Sequence, residues 1–360
     1  MRIPVTILTG FLGAGKTTLL NRLLRAPGFG DTAVIVNEFG QADIDGALVT
    51  PVADRAFAAT SGCLCCTVSG DVRFTLLRLL DEANRGVGPM FSRVVIETTG
   101  LADPGPVLRS FMATASMVDR FAVNGVVTLV DALNGADQMA RFEEARRQVA
   151  VADLLLLTKT DRIGAAGAKR DLAALRQTLA RRTPTARVAL AGEVTSADVF
   201  ALTAFDPAAR APDVQLWLRF EAPPGDDHDH GHDHGHGHHH PHDVNRHGDT
   251  ATAFCFTADA PLDPWALEQA ITALQHAFGA DLLRLKGLVA VTGQPDRPRV
   301  VHAVGHVTHP PELLATWPAG LSQTRLFLIV AGPGRQSAPD LLRQKLPQLS
   351  VLAPGVTATE

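Results

Sequence analysis

The stretch Gly10-Phe11-Leu12-Gly13-Ala14-Gly15-Lys16-Thr17-Thr18 fits the pattern G-x-x-x-x-G-K-[ST] without a gap. An apolar, β-branched run at 3–9 precedes it and leucines at helical spacing follow it at 18–25, which predicts a strand, a loop and a helix in that order. The N–H groups of such a loop, together with the N-terminus of the helix after it, bind phosphate oxygens. We therefore predict a nucleotide phosphate site made by Gly10, Gly13, Ala14, Gly15, Lys16, Thr17 and Thr18.

Two polar residues of this loop have predictable partners. Lys16 is expected to reach the β- and γ-phosphates, and Thr17 is expected to offer its hydroxyl to Mg²⁺. A buried strand predicted at 93–96 is followed by Glu97, with Gly100 three residues later. This spacing fits a nucleotide switch in which Glu97 joins the Mg²⁺ shell and the Gly100 N–H lies near the γ-phosphate.

A strand predicted at 32–37 is followed by Glu38, at the edge of an open α/β sheet where ligands bind. Glu38 is therefore a candidate for contact with Mg²⁺-bound water or with the attacking water, and so are Asp43 and Asp45 in the same loop. The alternative is that these carboxylates belong to a solvated loop. Leu101 follows the switch glycine where Ras-like GTPases have a water-orienting glutamine, so we expect slow intrinsic hydrolysis or a water-positioning residue elsewhere.

The strand predicted at 152–157 is followed by Thr158-Lys159-Thr160-Asp161, which indicates guanine as the base. Guanine presents N1–H and N2–H₂ as adjacent donors that one carboxylate accepts, whereas adenine has an acceptor at N1 that would repel Asp161. Lys159 is expected to lie across the purine face. The predicted base site is thus Thr158, Lys159 and Asp161, and the predicted nucleotide is GTP.

Three of the four cysteines lie within four positions, at Cys63, Cys65 and Cys66. In an extended chain Cys63 and Cys65 project to the same side, and two thiolates on one face begin a soft-metal site that Cys66 can complete. The alternative is that these residues are small buried hydrophobes beneath the nucleotide site. Cys255 stands alone in an apolar strand, so we expect it in the core.

Ten of the fourteen histidines lie between Asp226 and His247, alternating with aspartate and glycine. Such a segment cannot bury a core, so we expect a disordered linker that sequesters metal ions. Imidazole and carboxylate suit Zn²⁺, Ni²⁺, Co²⁺ and Cu²⁺ alike, so the tract does not select a metal. The alternative is a solvated spacer or a purification tag. The ligands predicted in this tract are His228, His230, His232 and His234.

The length of 360 residues predicts at least two domains. We expect an α/β P-loop NTPase domain with a mainly parallel sheet at 1–205 and a linker carrying the histidine tract at 206–249. A smaller α+β domain with a largely antiparallel sheet is expected at 250–360. In this last domain Asp263 and Pro264 fit the N-cap and first turn of a helix. Its strands are predicted at 252–256, 282–291, 299–307 and 324–330.

Charge and hydropathy exclude several classes of partner. The formal net charge of −4 and the pI near 6.4 give no basic surface for duplex nucleic acid, so no nucleic-acid partner is expected. No apolar run reaches the length of a membrane span, and the apolar N-terminus passes directly into the phosphate loop without the layout of a signal peptide. We therefore expect no membrane association and a cytoplasmic location.

Together these motifs resemble those of the CobW-type metallochaperone GTPases, which are related to the GTPases that mature urease and nickel hydrogenase. The resemblance implies a GTPase that binds a transition metal at the cysteines and delivers it to a client protein, with the nucleotide state as the switch. Two positions depart from the family pattern: Thr158 replaces the more usual asparagine, and Gln41 stands where the family is often acidic. The matching segments are GFLGAGKTTLLN at 10–21, VNEFG at 36–40, GCLCC at 62–66, ETTGLADP at 97–104, TKTD at 158–161 and LLRLKGLV at 282–289.

The leading function is Mg²⁺-dependent GTP hydrolysis coupled to metal transfer, with Zn²⁺ preferred by the thiolates. Co²⁺ or Ni²⁺ insertion for cobalamin or metalloenzyme maturation is the alternative metal class. Two other functions remain open: a metal buffer or sensor that holds GTP without useful turnover, and an ATP-using small-molecule kinase built on the same loop. The sequence does not name the client protein, and it is compatible with a homodimer.

Overall fold

The computed structural model describes residues 2–26, 31–38, 57–62, 69–163, 168–200, 251–318 and 321–352. The N-terminal part contains a seven-stranded sheet in the order β3-β2-β4-β1-β5-β6-β7, and all of its neighbouring strands run parallel. The strand before the phosphate loop is therefore central. The strands are β1 (Ile3–Gly10), β2 (Thr32–Glu38), β3 (Phe57–Gly62), β4 (Arg93–Glu97), β5 (Phe121–Asp131), β6 (Leu154–Thr158) and β7 (Arg187–Leu190).

Helices cover both faces of this parallel sheet. Leu19, Leu20 and Leu23 of the first helix pack on one face, against residues such as Leu8 and Leu129 of the central strands. The other face is covered by most of the remaining helices, which explains why the central strands are apolar on both sides. The helices are α1 (Lys16–Leu24), α2 (Ser69–Asn84), α3 (Gly105–Met112), α4 (Ala115–Val118), α5 (Gly135–Arg141), α6 (Glu143–Ala150), α7 (Ala168–Arg182) and α8 (Ser196–Phe200).

The C-terminal part contains a second sheet, in the order β11-β10-β9-β13-β8-β14, with β12 paired to β10. Its pairs are antiparallel. Two helices, α9 (Pro264–Phe278) and α10 (Ala338–Lys345), pack on it. The strands are β8 (Ala251–Ala258), β9 (Leu282–Val291), β10 (Gln294–Val304), β11 (Val307–Thr308), β12 (Glu312–Leu313), β13 (Thr324–Ala331) and β14 (Ser350–Leu352).

The predicted fold class is confirmed: a P-loop domain with a parallel sheet is followed by a smaller mixed domain with an antiparallel sheet. The predicted N-cap is also confirmed, since the Asp263 carboxylate accepts a hydrogen bond from the Ala266 N–H. Cys255 lies in the core as expected, and burial raises the pKa of its thiol to about 12. The boundaries at 205/206 and 249/250 lie within 201–250, outside the described residues, and remain predictions.

The N-terminal and C-terminal parts of the chain meet through an apolar surface and a buried charge cluster. Leu283 and Ile329 of the second sheet share a core with Phe111 and Met112 of α3. Beside them, Asp153, immediately before β6, forms salt bridges with two cations of β9. Its carboxylate lies 2.9 Å from Arg284 Nη1 and 3.1 Å from Lys286 Nζ. The two cations alternate along β9 and so project to the same side. Among the described residues, no helix is both long and apolar enough to cross a bilayer.

Candidate functional site

The phosphate loop follows β1 at the carboxyl edge of the parallel sheet. Gly15 caps α1 with φ of 92°, a left-handed conformation that only glycine adopts without strain, and the helix starts at Lys16. The Lys16 ammonium donates to the carbonyl of Gly10 at 2.9 Å and lies 3.4 Å from that of Phe11. This largely buried cation therefore already lies over the loop that is predicted to hold phosphate.

The predicted Mg²⁺ ligands lie side by side. Thr17 Oγ1 donates to Glu97 Oε1 at 3.0 Å, which joins the start of α1 to the end of β4. Leu8 of β1 is the register partner of Glu97, so the parallel pairing of the two strands brings this carboxylate to the loop. A hydroxyl and a buried carboxylate are hard oxygen donors of the kind that Mg²⁺ takes, so these residues fit the ion.

The predicted switch glycine packs directly on the phosphate loop. A Cβ at Gly100 would lie 2.6 Å from Leu12 Cδ2 and 2.8 Å from the Leu12 backbone N, so this approach requires glycine. The carbonyl of Gly100 accepts a hydrogen bond from Gln148 Nε2 at 3.1 Å, and the carbonyl of Ala102 accepts another from the same amide at 3.0 Å. The segment after Glu97 is thus held between the phosphate loop and α6.

The predicted base-binding segment is tied to the phosphate loop by Thr158. Its hydroxyl donates to the Ala14 carbonyl at 2.8 Å and lies 3.3 Å from the Val130 carbonyl. Threonine at this position therefore still supplies a hydrogen bond between the two loops, although it departs from the family's asparagine. Asp161 follows in a short 3₁₀ turn, Thr160–Arg162, and its side chain is exposed, as a group that accepts from an incoming base must be.

Lys159 adopts a left-handed conformation, with φ of 57°, and its ammonium contacts Asp131 Oδ2 at 2.6 Å. Asp131 ends β5, the neighbour of β6, and its side chain is almost fully buried. Burial by itself raises the pKa of the Asp131 carboxyl, but hydrogen bonds from Lys159, Asn134 and the Leu133 N–H outweigh it and hold the pKa below its usual value. Asp131 therefore stays ionised and fixes the ammonium end of Lys159, while the stem remains next to the base-binding loop.

The described site residues thus gather at one edge of the parallel sheet, as the spacing of the motifs predicts. Glu38 is described as the last backbone position of β2, where it is the register partner of Gly62. The residues brought to this edge are Gly10, Gly13, Ala14, Gly15, Lys16, Thr17, Thr18, Glu97, Gly100, Thr158, Lys159 and Asp161. The other predicted metal ligands, Cys63, Cys65, Cys66, His228, His230, His232 and His234, lie outside the described residues.

Two residues of the site were not predicted from sequence. Asp131 carries one signal that could have found it, because it is an acidic residue at the end of the strand next to β6. Gln148 carries none, because it lies inside a helix that no motif marks. Within the part of the chain that the structure describes, no group of three or more His, Cys, Asp or Glu side chains could hold a metal ion.

A parallel sheet with a Gly-rich loop before its first helix, a threonine and a carboxylate beside that loop, and a switch glycine packed on it define a P-loop nucleotide-binding protein. Comparison with known families narrows this class. Residues 4–188 match the model described as CobW/HypB/UreG, nucleotide-binding domain, and residues 251–349 match the cobalamin synthesis protein cobW C-terminal domain. The chain belongs to the CobW/HypB/UreG family.

Individual relatives agree with this assignment. The chain is 46% identical over 164 residues to the zinc chaperone YjiA of Escherichia coli (strain K12), a match that covers 46% of this chain and 51% of that protein. The matched region thus spans about half the length of YjiA. The chain is also 32% identical over 340 residues to the zinc chaperone CobW of Sinorhizobium sp, covering 84% of this chain and 86% of that protein.

A solved structure extends the likeness across both domains. The crystal structure of Zn(II)-bound YjiA GTPase from E. coli superposes with a TM-score of 0.67 at 25% identity. The superposition covers 96% of this chain and 99% of that chain. The arrangement of a parallel sheet followed by an antiparallel one is therefore shared with a zinc-bound member of the family.

Proposed function

We propose that this chain is a GTP-hydrolysing metallochaperone, which binds a transition metal at Cys63, Cys65 and Cys66 and passes it to a client protein under nucleotide control. The observation that carries the proposal is the convergence of Lys16, the Thr17–Glu97 pair and Gly100 on one phosphate loop. A nucleotide switch requires a closely packed glycine, a hydroxyl and a carboxylate beside the phosphate loop.

In the proposed site the phosphate loop and Lys16 bind the phosphates, and Gly100 senses the γ-phosphate. Thr17 and Glu97 would hold Mg²⁺, which would supply positive charge to neutralise the phosphate oxygens. Glu38 would contact either water held by Mg²⁺ or the attacking water. Lys159 and Asp161 bind the guanine base, while Thr158 supports the loop from which they project.

The backbone register supports a metal site beside the nucleotide. β3 ends at Gly62, whose register partner is Glu38, and Cys63 is the next residue along the chain. The first cysteine thus follows directly from the same sheet edge as the phosphate loop. The names of two relatives, both zinc chaperones, favour Zn²⁺ as the cargo over Co²⁺ or Ni²⁺. The histidine ligands at His228, His230, His232 and His234 are proposed as a local store of metal.

A metal buffer that holds GTP without useful turnover is the second candidate. Leu101, an exposed apolar residue, follows the switch glycine, and it cannot orient a water molecule. Single-turnover hydrolysis distinguishes the two functions: a chaperone hydrolyses bound GTP when Zn²⁺ and Mg²⁺ are present, whereas a buffer retains GTP unchanged. The client protein, a homodimer and the cytoplasmic location remain predictions.

The metal assignment is tested by titrating Zn²⁺ against a chromophoric chelator. Deleting 226–247 should lower the stoichiometry and leave one tight site, whereas Cys65→Ser should abolish the tight site and leave the weaker ones. Cys255→Ser is the matched control, because this thiol is buried in the C-terminal domain and should not bind metal. Loss of the tight site on deletion of the tract would reverse the assignment.

A further inference from the structure

Two consecutive residues of α6 hold the segment that follows the switch glycine. Gln148 is buried, and its Nε2 donates to the carbonyls of both Gly100 and Ala102. The backbone carbonyl of Gln148 accepts a hydrogen bond from Thr128 Oγ1 at 2.8 Å, which fixes this turn of α6 to β5. A displacement of Gly100 towards or away from bound phosphate therefore acts on α6 through two hydrogen bonds.

The preceding residue, Arg147, lies among three carboxylates. Its Nη1 is 3.7 Å from Asp103 Oδ2, and Asp103 ends the same switch segment. Its Nε donates to Glu143 Oε1 at 2.8 Å within α6. Its Nη2 donates to Asp281 Oδ1 at 2.5 Å, across 134 residues of sequence. The guanidinium is thus shared between the switch segment and the C-terminal domain.

The two partners of Arg147 that lie outside α6, Asp103 and Asp281, are themselves held in place. Asp103 Oδ1 accepts the Gly105 N–H at 2.8 Å, at the start of α3. Asp281 lies immediately before β9, and its carboxylate packs against Gly332, the residue after β13, where a Cβ would collide with it. Because Asp103 and Asp281 are held by different parts of the fold, they do not move together. A shift of the switch segment therefore changes the contacts of Arg147 with the two carboxylates.

We propose that Arg147 is a positioning residue that links the switch segment Gly100–Asp103 to the C-terminal domain through Asp281, so that the nucleotide state alters this contact between the domains. The inference rests on the proposed binding of GTP and GDP. Linkage makes the effect reciprocal: if nucleotide exchange changes the Arg147–Asp281 contact, removing the Asp281 charge must change the preference between the two nucleotides. A purely structural contact would weaken both nucleotides to the same extent.

The test compares Asp281→Asn with the matched control Glu143→Gln in the full chain. Each substitution removes one carboxylate from Arg147 without changing side-chain size, but Glu143 lies on α6 itself and links no domains. The dissociation constants for GDP and for a non-hydrolysable GTP analogue are measured with Mg²⁺. We expect their ratio to shift at least threefold in Asp281→Asn and to stay within twofold of the wild type in Glu143→Gln.

An unchanged ratio in Asp281→Asn, or an equal shift in both variants, would overturn the proposal. If Asp281→Asn does not fold, Arg147→Lys replaces it, because lysine keeps the charge but lacks the fork that contacts two carboxylates at once. The same shift in the ratio is expected in Arg147→Lys, and an unchanged ratio there would overturn the proposal. Wild-type chain that binds no guanine nucleotide would remove the proposed function itself, whereas tight binding with an unchanged ratio removes this inference alone.

Discussion

At the scale of single residues, the two side chains proposed to bind the base have different surroundings. Asp161 is exposed and available to accept hydrogen bonds from guanine, whereas Lys159 is held at its ammonium end by the buried Asp131. A lysine fixed in this way loses little further side-chain entropy when a purine stacks on its stem. We therefore expect Asp131 to prepare the proposed base site by fixing Lys159, without touching the base.

The first prediction follows from the donor pattern of guanine. Asp161→Asn should lower the affinity for GTP by about 2 kcal/mol, roughly 30-fold, because the amide cannot accept both guanine donors. Xanthine carries a carbonyl in place of the guanine amino group, so the same variant should gain affinity for xanthosine triphosphate. Competition binding with labelled GDP measures both effects. Unchanged GTP affinity in the variant would show that Asp161 does not bind the base.

The motifs predicted which residues meet at the edge of the parallel sheet. They did not predict the side chains that hold those residues in place. Lys16, Thr17, Glu97 and Gly100 could be placed together because parallel strands bring their carboxyl ends to one edge. Lys159, which contacts Asp131, has a left-handed backbone conformation that the sequence does not signal. The Cys63–Cys66 and histidine predictions lie outside the described residues and stay predictions.

At the scale of secondary structure elements, β9 contributes two cations to a buried charge cluster, although its sequence is mostly apolar. Arg284 and Lys286 interrupt a run of leucines, and their partner Asp153 is 131 and 133 residues away, so no local spacing could identify the pair. Burial alone would raise the pKa of Asp153, but these two cations outweigh it and hold the pKa well below its usual value. Burial lowers the pKa of Lys286 to about 8, against the attraction of Asp153.

The second prediction concerns this cluster. Asp153→Asn removes the carboxylate that both buried cations contact and should lower the free energy of unfolding by about 3 kcal/mol at pH 7, measured by urea denaturation. Asp81→Asn, which removes an exposed helical ion pair with Arg85, is the control and should change it by less than about 0.5 kcal/mol. An equally small effect in both variants would contradict a stabilising role for Asp153.

The pH dependence of this difference has a defined sign. The pKa of Asp153 is lower in the folded chain than its ordinary value of 3.8, so its contribution to stability is complete above that value and is lost as the pH falls below it. The gap in unfolding free energy between wild type and Asp153→Asn should therefore shrink as the pH falls below about 4.

At the scale of the whole molecule, the nucleotide site, the sheet edge leading to the cysteines and the C-terminal domain are connected through backbone and buried side chains. Glu38 pairs with Gly62, the residue that precedes Cys63 in the sequence, and Gly100 connects through α6 to Asp281. The two domains are also joined by the charge cluster of Asp153, so a change at the phosphate loop acts within one connected structure. This connection is what a nucleotide-controlled metal carrier needs.

We propose that GTP and the metal bind with mutual dependence, so that each changes the affinity of the chain for the other. The most direct test is the Zn²⁺ affinity of the chain lacking 226–247, measured with Mg²⁺ and a non-hydrolysable GTP analogue and again with Mg²⁺ and GDP. We predict that the GTP analogue tightens Zn²⁺ binding by at least about fivefold, the lower end of typical coupling between two sites. Equal affinities in the two nucleotide states would contradict the claim and leave a protein that binds both ligands and couples neither.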